Sequence, residues 1–139
     1  MDRSRLREAL AALDSDALLV VSSSSADPDL APFTGGGRLR EAFVVVSVEG
    51  KACLGFLNAM EREEAALSDL ELLDPAALGV SPGAVSKAGP IEIWRRAIVC
   101  AFGRIGAKTT RVALAGRLPA GVLLGVVGSL RHTGWSFVD

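Results

Sequence analysis

Few residues of this chain are equipped for chemistry. His132 is the single histidine, and Cys53 and Cys100 are the only cysteines, among 139 residues. One imidazole and two distant thiols cannot make a His- or Cys-rich metal set, and no Cys-x-x-Cys occurs. A Ser-His-Asp arrangement would have to pair His132 with the serine run Ser22–Ser25, and the Gly-x-Ser-x-Gly elbow is missing. The triglycine Gly35–Gly37 precedes an apolar run rather than a helix, so no helix N-terminus follows it to hold a phosphate. It reads as a flexible turn. Glu61, Glu63 and Glu64 crowd beside Arg62 and read as a solvated helix face. Asp14, Asp16, Asp27 and Asp29 fall near a turn and a loop, and spacing alone identifies no acid–base pair.

The elements that must position these groups are clearer. Leu6, Ala9, Leu10 and Leu13 repeat at helical spacing and predict an opening helix over residues 3–13. Ala17–Val21 is continuously apolar, as expected of a strand covered on both faces. Ser22–Gly37 is a loop by its Ser, Pro and Gly content. Ala42–Val48 and Lys51–Leu57, joined through Glu49-Gly50, predict a β-hairpin. Asn58 with Glu61 forms a capping-box pattern for a helix running to about Leu67. Leu70–Leu73 is a short strand. Residues 74–89 are loop, and Pro90 then opens a helix that keeps its spacing to Gly106. Arg111–Ala115 is a strand, Pro119 opens a last helix closed by Gly134, and Trp135–Val138 reads as a final strand. An antiparallel hairpin followed by strand–helix alternation predicts one α/β domain over residues 1–139. Its mixed sheet has about five to six strands and is flanked by helices.

Composition narrows the function classes. Fifteen basic against sixteen acidic residues leave a net charge of -1, so no basic excess exists for a phosphate backbone and no nucleic-acid partner is expected. Apolar residues at 50% exclude disorder. With 15 glycines the apolar-plus-glycine share reaches about 61%, against roughly 45–50% in ordinary soluble domains. A partner surface would account for the excess. The longest apolar run, Leu118–Leu130, is too short for a membrane span. The charged N-terminus has no signal core, so a soluble, cytoplasmic protein is expected. Gly121, Gly125 and Gly128 recur on one side of the last helix, so something should approach that side closely, the domain's own sheet or a partner.

The ordered set of elements resembles the N-terminal domain of the creatinase/prolidase/Xaa-Pro aminopeptidase family, the pita-bread metallopeptidases. Asp16–Val20 is similar to the family's Asp-Ala-Leu-Leu-Val strand. Leu30-Ala-Pro-Phe-Thr-Gly35 fills the place of its Thr-Gly loop. Ala42–Leu57 matches the hairpin, Ala59–Leu67 the acidic helix, and Arg111–Asp139 the closing strand–helix–strand. Pro32-Phe33 replaces the usual Tyr-Leu or Tyr-Phe, and Gly36-Gly37 the usual aromatic.

The resemblance implies a ribonuclease-H-like sheet and a division of labour. The divalent metal pair of these enzymes is expected only in a separate C-terminal catalytic domain, so no catalytic, cofactor or metal residue is carried over to this chain. The expected work is dimerisation, contact with that catalytic domain, and shaping access to its metal site. The chain alone is expected not to be an enzyme, with a metal-dependent Xaa-Pro peptidase as its parent protein. Phe33, Thr34 and Gly35 are the candidates for an entrance or partner contact. Two other readings stay open: a stand-alone small-molecule or peptide binding module using the Ser22–Gly37 loop, and a hydrolase using Ser22–Ser25 with His132.

Overall fold

The computed structural model describes residues 3–24 and 27–138. Helix α1 (Arg3–Ala12) is followed by strands β1 (Ala17–Ser22), β2 (Ala42–Ser47) and β3 (Ala52–Phe56), after which α2 (Arg62–Ala65), β4 (Glu71–Leu73), α3 (Pro90–Ile105), β5 (Val112–Arg117) and α4 (Ala120–His132) alternate. The five strands form one mixed sheet in the order β4-β3-β2-β1-β5. β1 and β3 run antiparallel to β2, while β4 and β5 run parallel to β3 and β1. The register places Val20 against Val44 and Ala115, and Val44 against Leu54. This is the predicted α/β mixed sheet, with five strands.

Both faces of the sheet are covered, which is why β1 and β2 read as unbroken apolar runs. On one face, Leu19, Val21, Phe43, Val45 and Cys53 pack under α3 and α4. The other face presents Val20, Val44, Val46, Leu54 and Phe56. It is closed by Leu6 of α1, by Leu30, Phe33 and Leu39 of the long loop, and by Ala65 of α2. Alternate residues of each strand thus serve opposite cores, as the period of two requires. Phe43 meets Trp94 edge-on with ring centroids 6.2 Å apart. Gly55 is β3's partner of Phe43, and a Cβ there would lie 2.5 Å from the Phe43 ring.

Local signals explain the borders. Pro90 occupies the first turn of α3, and Gly106, at φ 67°, ends it while Ala107 N–H donates to Phe102 O at 3.0 Å. Gly50 at φ 91° turns the β2–β3 hairpin, with Ser47 Oγ accepting from Lys51 N–H. Three expectations change. The expected final strand is a single bridge, Val112 to Phe137. Trp135 is drawn instead against Phe102, with centroids 4.5 Å apart, and stacks on Phe137. The helix expected to run to Leu67 is a 3₁₀ turn, Ala59–Glu61, followed by one α-turn. The glycine stripe is not uniformly packed. A Cβ on Gly125 would meet Ile91 of α3 at 2.3 Å, while Gly121 and Gly128 have nothing within 4 Å. The close approach is helix to helix inside the domain, at one glycine.

Candidate functional site

The parallel strands β1, β3 and β5 all end on the same side of the sheet, and α3 and α4 both begin there. Ligands of α/β sheets favour such strand ends. A crevice of about 660 Å³ opens at this place. Ser23 lines it after β1, Arg40 and Glu41 before β2, and Asn58, Met60 and Glu61 after β3. Pro90 and Trp94 of α3, with Pro119 and Val122 beside and within α4, complete the wall. Met60 is 90% exposed, whereas Trp94 is buried. The crevice thus combines an apolar floor with a polar rim.

Glu61 shapes that rim. Its Oε2 accepts from Arg40 N–H at 2.6 Å and its Oε1 from Glu41 N–H at 3.3 Å. Asn58 Oδ1 accepts from Met60 N–H, which is the expected cap, but Glu61 does not reach back to complete a box. Glu64 Oε2 likewise accepts from Arg38 N–H at 2.8 Å. Two of the three glutamates read as a solvated face therefore hold the backbone leading into β2. Arg62 pairs with Asp74 at 3.0 Å and covers the Phe56 ring.

The loop after β1 closes a second, smaller cavity of about 230 Å³. Leu30, Ala31 and Leu39 line it with Asp27, Thr34 and Arg38. Asp27 is 6% exposed. Its Oδ1 accepts from Asp29 N–H at 2.9 Å, and its Oδ2 has no hydrogen-bond partner among the described residues. Of the expected contact residues, Phe33 is buried in the second core. Thr34 is also buried, lines the small cavity, and donates its hydroxyl to Ala31 O. Gly35 turns the chain at φ 62°, so close to α2 that a Cβ would collide with Leu67 O. Phe33 therefore faces the core, Thr34 the cavity and Gly35 the chain after α2.

The remaining candidates are scattered. Ser22 is fully buried, and its Oγ donates to Ser24 O and accepts from Ser24 N–H. Ser25 lies outside the described residues. Ser23 lines the crevice where α4 begins, whereas His132 ends that helix, roughly 18 Å further along its axis. The fold does not bring these serines and His132 together. Both cysteines are free. Burial, with Glu71 nearby, pushes the Cys53 thiol up to about 12. Among the described residues no group of three or more His, Cys, Asp or Glu side chains is placed to hold a metal ion. These residues do not fit a metal pair.

Sequence reasoning reached the loop but missed the crevice. Its walls come from residues 23, 40–41, 58–61, 90–94 and 119–122, which no local pattern links. The prolines opening both helices were the one available sign.

No family model matches the chain, and no curated sequence matches it. Solved structures do. The X-Pro aminopeptidase from Thermotoga maritima MSB8 superposes over 99% of this chain and 33% of its own, with a TM-score of 0.62 at 13% identity. The prolidase from Pyrococcus horikoshii OT3 matches over 93% of this chain and 30% of its own, with a TM-score of 0.57 at 15% identity. The fold is a prolidase-type fold. These neighbours come from the family that the sequence resembles. The chain spans about a third of their length, and at such identities what is shared is the prolidase-type backbone. Among the described residues no helix is long and apolar enough to cross a membrane.

Proposed function

We propose that this chain serves as a non-catalytic N-terminal domain of an Xaa-Pro aminopeptidase- or prolidase-like metallohydrolase. It associates with a second copy, with a C-terminal catalytic domain, or with both, and shapes access to the divalent metal pair held by that domain. The observation that carries this reading is the match of 99% of the chain to one third of an X-Pro aminopeptidase. The rimmed crevice at the strand ends agrees with it. Of the three loop residues, Gly35 at the exposed turn is the contact offered to the partner, while the buried Phe33 and Thr34 hold that turn from beneath. Two free cysteines, with no disulfide between them, fit a reducing, cytoplasmic setting.

Sedimentation of the purified chain across micromolar concentrations tests self-association, with a concentration-dependent dimer expected. Co-purification with a prolidase-type catalytic domain tests the other contact. A monomer at every concentration that also ignores the catalytic domain would sink the proposal. So would cleavage of an Xaa-Pro dipeptide by this chain alone in added divalent metal.

A second reading is favoured by one observation. The Ser22–Gly37 loop helps to enclose a cavity of about 230 Å³, which suits a stand-alone small-molecule or peptide binding module.

A further inference from the structure

Trp94 carries an unspent hydrogen bond. The residue is 4% exposed, and its ring meets Phe43 edge-on. Its indole Nε1–H has no hydrogen-bond partner among the described residues, although a buried indole N–H ordinarily finds one. The nitrogen is not sealed in the core, since Asp27 Oδ2 is the only fully enclosed side-chain nitrogen or oxygen without a partner among the described residues. The small part of Trp94 that stays open lines the crevice at the strand ends, so the N–H faces into that crevice. An unsatisfied donor at the floor of a crevice calls for an acceptor.

The surrounding groups agree on what that acceptor is. Asn58 lines the crevice, and its Oδ1 is taken by Met60 N–H, which leaves Nδ2 to donate. Arg40 stands on the rim, and its guanidinium makes no hydrogen bond or ion pair among the described residues. Helices α3 and α4 both begin here without a side-chain cap, and their dipoles favour negative charge. Both oxygens of Glu61 are spent on the N–H groups of Arg40 and Glu41. Among the described residues Glu41 is then the one rim carboxylate left to oppose an anion. Pro90, Pro119 and Val122 add an apolar wall beside the Trp94 ring, and the volume of about 660 Å³ lies within the roughly 300–1,000 Å³ of small-molecule sites. We propose that this crevice binds a small monocarboxylate with a compact apolar body, its carboxylate held by Trp94 Nε1–H and Arg40 and its body against Pro90, Pro119 and Val122. The site goes beyond the role as an N-terminal domain and depends neither on that role nor on the smaller cavity of the Ser22–Gly37 loop.

Titration of the ¹⁵N-labelled chain, followed by its indole N–H signals, tests the site. The chain has two tryptophans, so Trp135→Phe leaves one indole signal and assigns it to Trp94, while Trp135 serves as the internal control. The probes are sodium phenylacetate, phenylacetamide, 2-phenylethylammonium chloride and sodium acetate, each taken to millimolar concentration. Phenylacetate is expected to shift the Trp94 Nε1–H signal saturably and leave that of Trp135 in place. The other three are expected to bind about tenfold more weakly or worse, a difference of about 1.4 kcal/mol. Arg40→Gln alters an exposed side chain and keeps the backbone N–H that Glu61 accepts from; it is expected to weaken phenylacetate binding about tenfold. Glu41→Gln removes the opposing charge and is expected to tighten it. Absence of a saturable Trp94 shift with phenylacetate overturns the proposal, as does undiminished binding by Arg40→Gln. Equal binding of phenylacetamide or 2-phenylethylammonium overturns the carboxylate, and equal binding of acetate overturns the apolar body.

Discussion

Gly116 shows how much a single missing side chain can carry. It sits near the end of β5 at φ 96°, paired with Val21, and a Cβ there would fall 1.8 Å from Val21 O. Positive φ and backbone contact both exclude a side chain. Gly116→Ala is expected to lower stability by about 2–4 kcal/mol, combining backbone strain with overpacking, and urea unfolding measures it. Cys53 gives a prediction of another kind. Burial, with Glu71 adding to it, keeps its thiol protonated up to about 12, and the thiolate is the reactive form. A disulfide reagent at mild alkaline pH is therefore expected to spare Cys53 in the native chain and modify it only after denaturant is added. Mass spectrometry of the labelled peptides decides this. Rapid native modification of Cys53 would contradict the packing of β3. The constraint at Gly116 could not be read from residue type, since glycine is common in both exposed and buried places, whereas the burial of Cys53 was legible from its apolar segment, where a free cysteine acts as a small hydrophobe.

Among the elements, α4 has the clearest test. Gly128 lies in its interior, exposed, and a Cβ added there would have nothing within 4 Å. Gly128→Ala is expected to raise stability by about 0.8–1 kcal/mol, the helix-propensity difference, seen as a higher urea midpoint. If the α4 surface is also the seat of a partner, the same variant will weaken association while strengthening the fold. At Gly125 the neighbour is the end of the half-exposed Ile91 side chain, which can move aside. The helices and strands themselves were legible in the sequence to within a residue or two. Trp94, Ala97, Ile98, Ala101 and Ile105 repeat at the helical period, and Pro90 and Gly106 mark the ends of α3. Reading failed where tertiary contacts outweighed local preference. The acidic turn after β3 is short because Glu61 and Glu64 are drawn across to the backbone of residues 38–41. The segment after α4 yields one bridge because its aromatics pack on Phe102 and on each other.

The molecule as a whole is a sheet with two cores, and an ion pair beside its edge strand β4 bears on acid stability. Asp74 leads out of β4; its Oδ1 accepts from Ala77 N–H and its Oδ2 pairs with Arg62. Those bonds, the Ala77 one foremost, hold its carboxyl below the ordinary 3.8. The unfolded chain therefore binds this proton more readily than the folded one. The stabilisation is complete above the ordinary value and is lost as pH falls through the lower folded value. Unfolding midpoints taken from neutral pH downward are expected to drop below about pH 4, with a shallower decline in Asp74→Asn; parallel curves would refute the assignment. By itself the sequence determined the α/β class, the hairpin, most element borders and the loop that builds the small cavity. It could do so because burial periodicity and turn chemistry act over a few neighbouring residues. Only the tertiary structure decided that residues 23, 40, 60, 94 and 119 share one crevice, that two glutamates clamp a strand's approach, and that Asp27 and Arg38 line one cavity. Those relations depend on the strand order β4-β3-β2-β1-β5 and on which helix covers which face, distances set by packing across the whole chain and encoded in no local pattern.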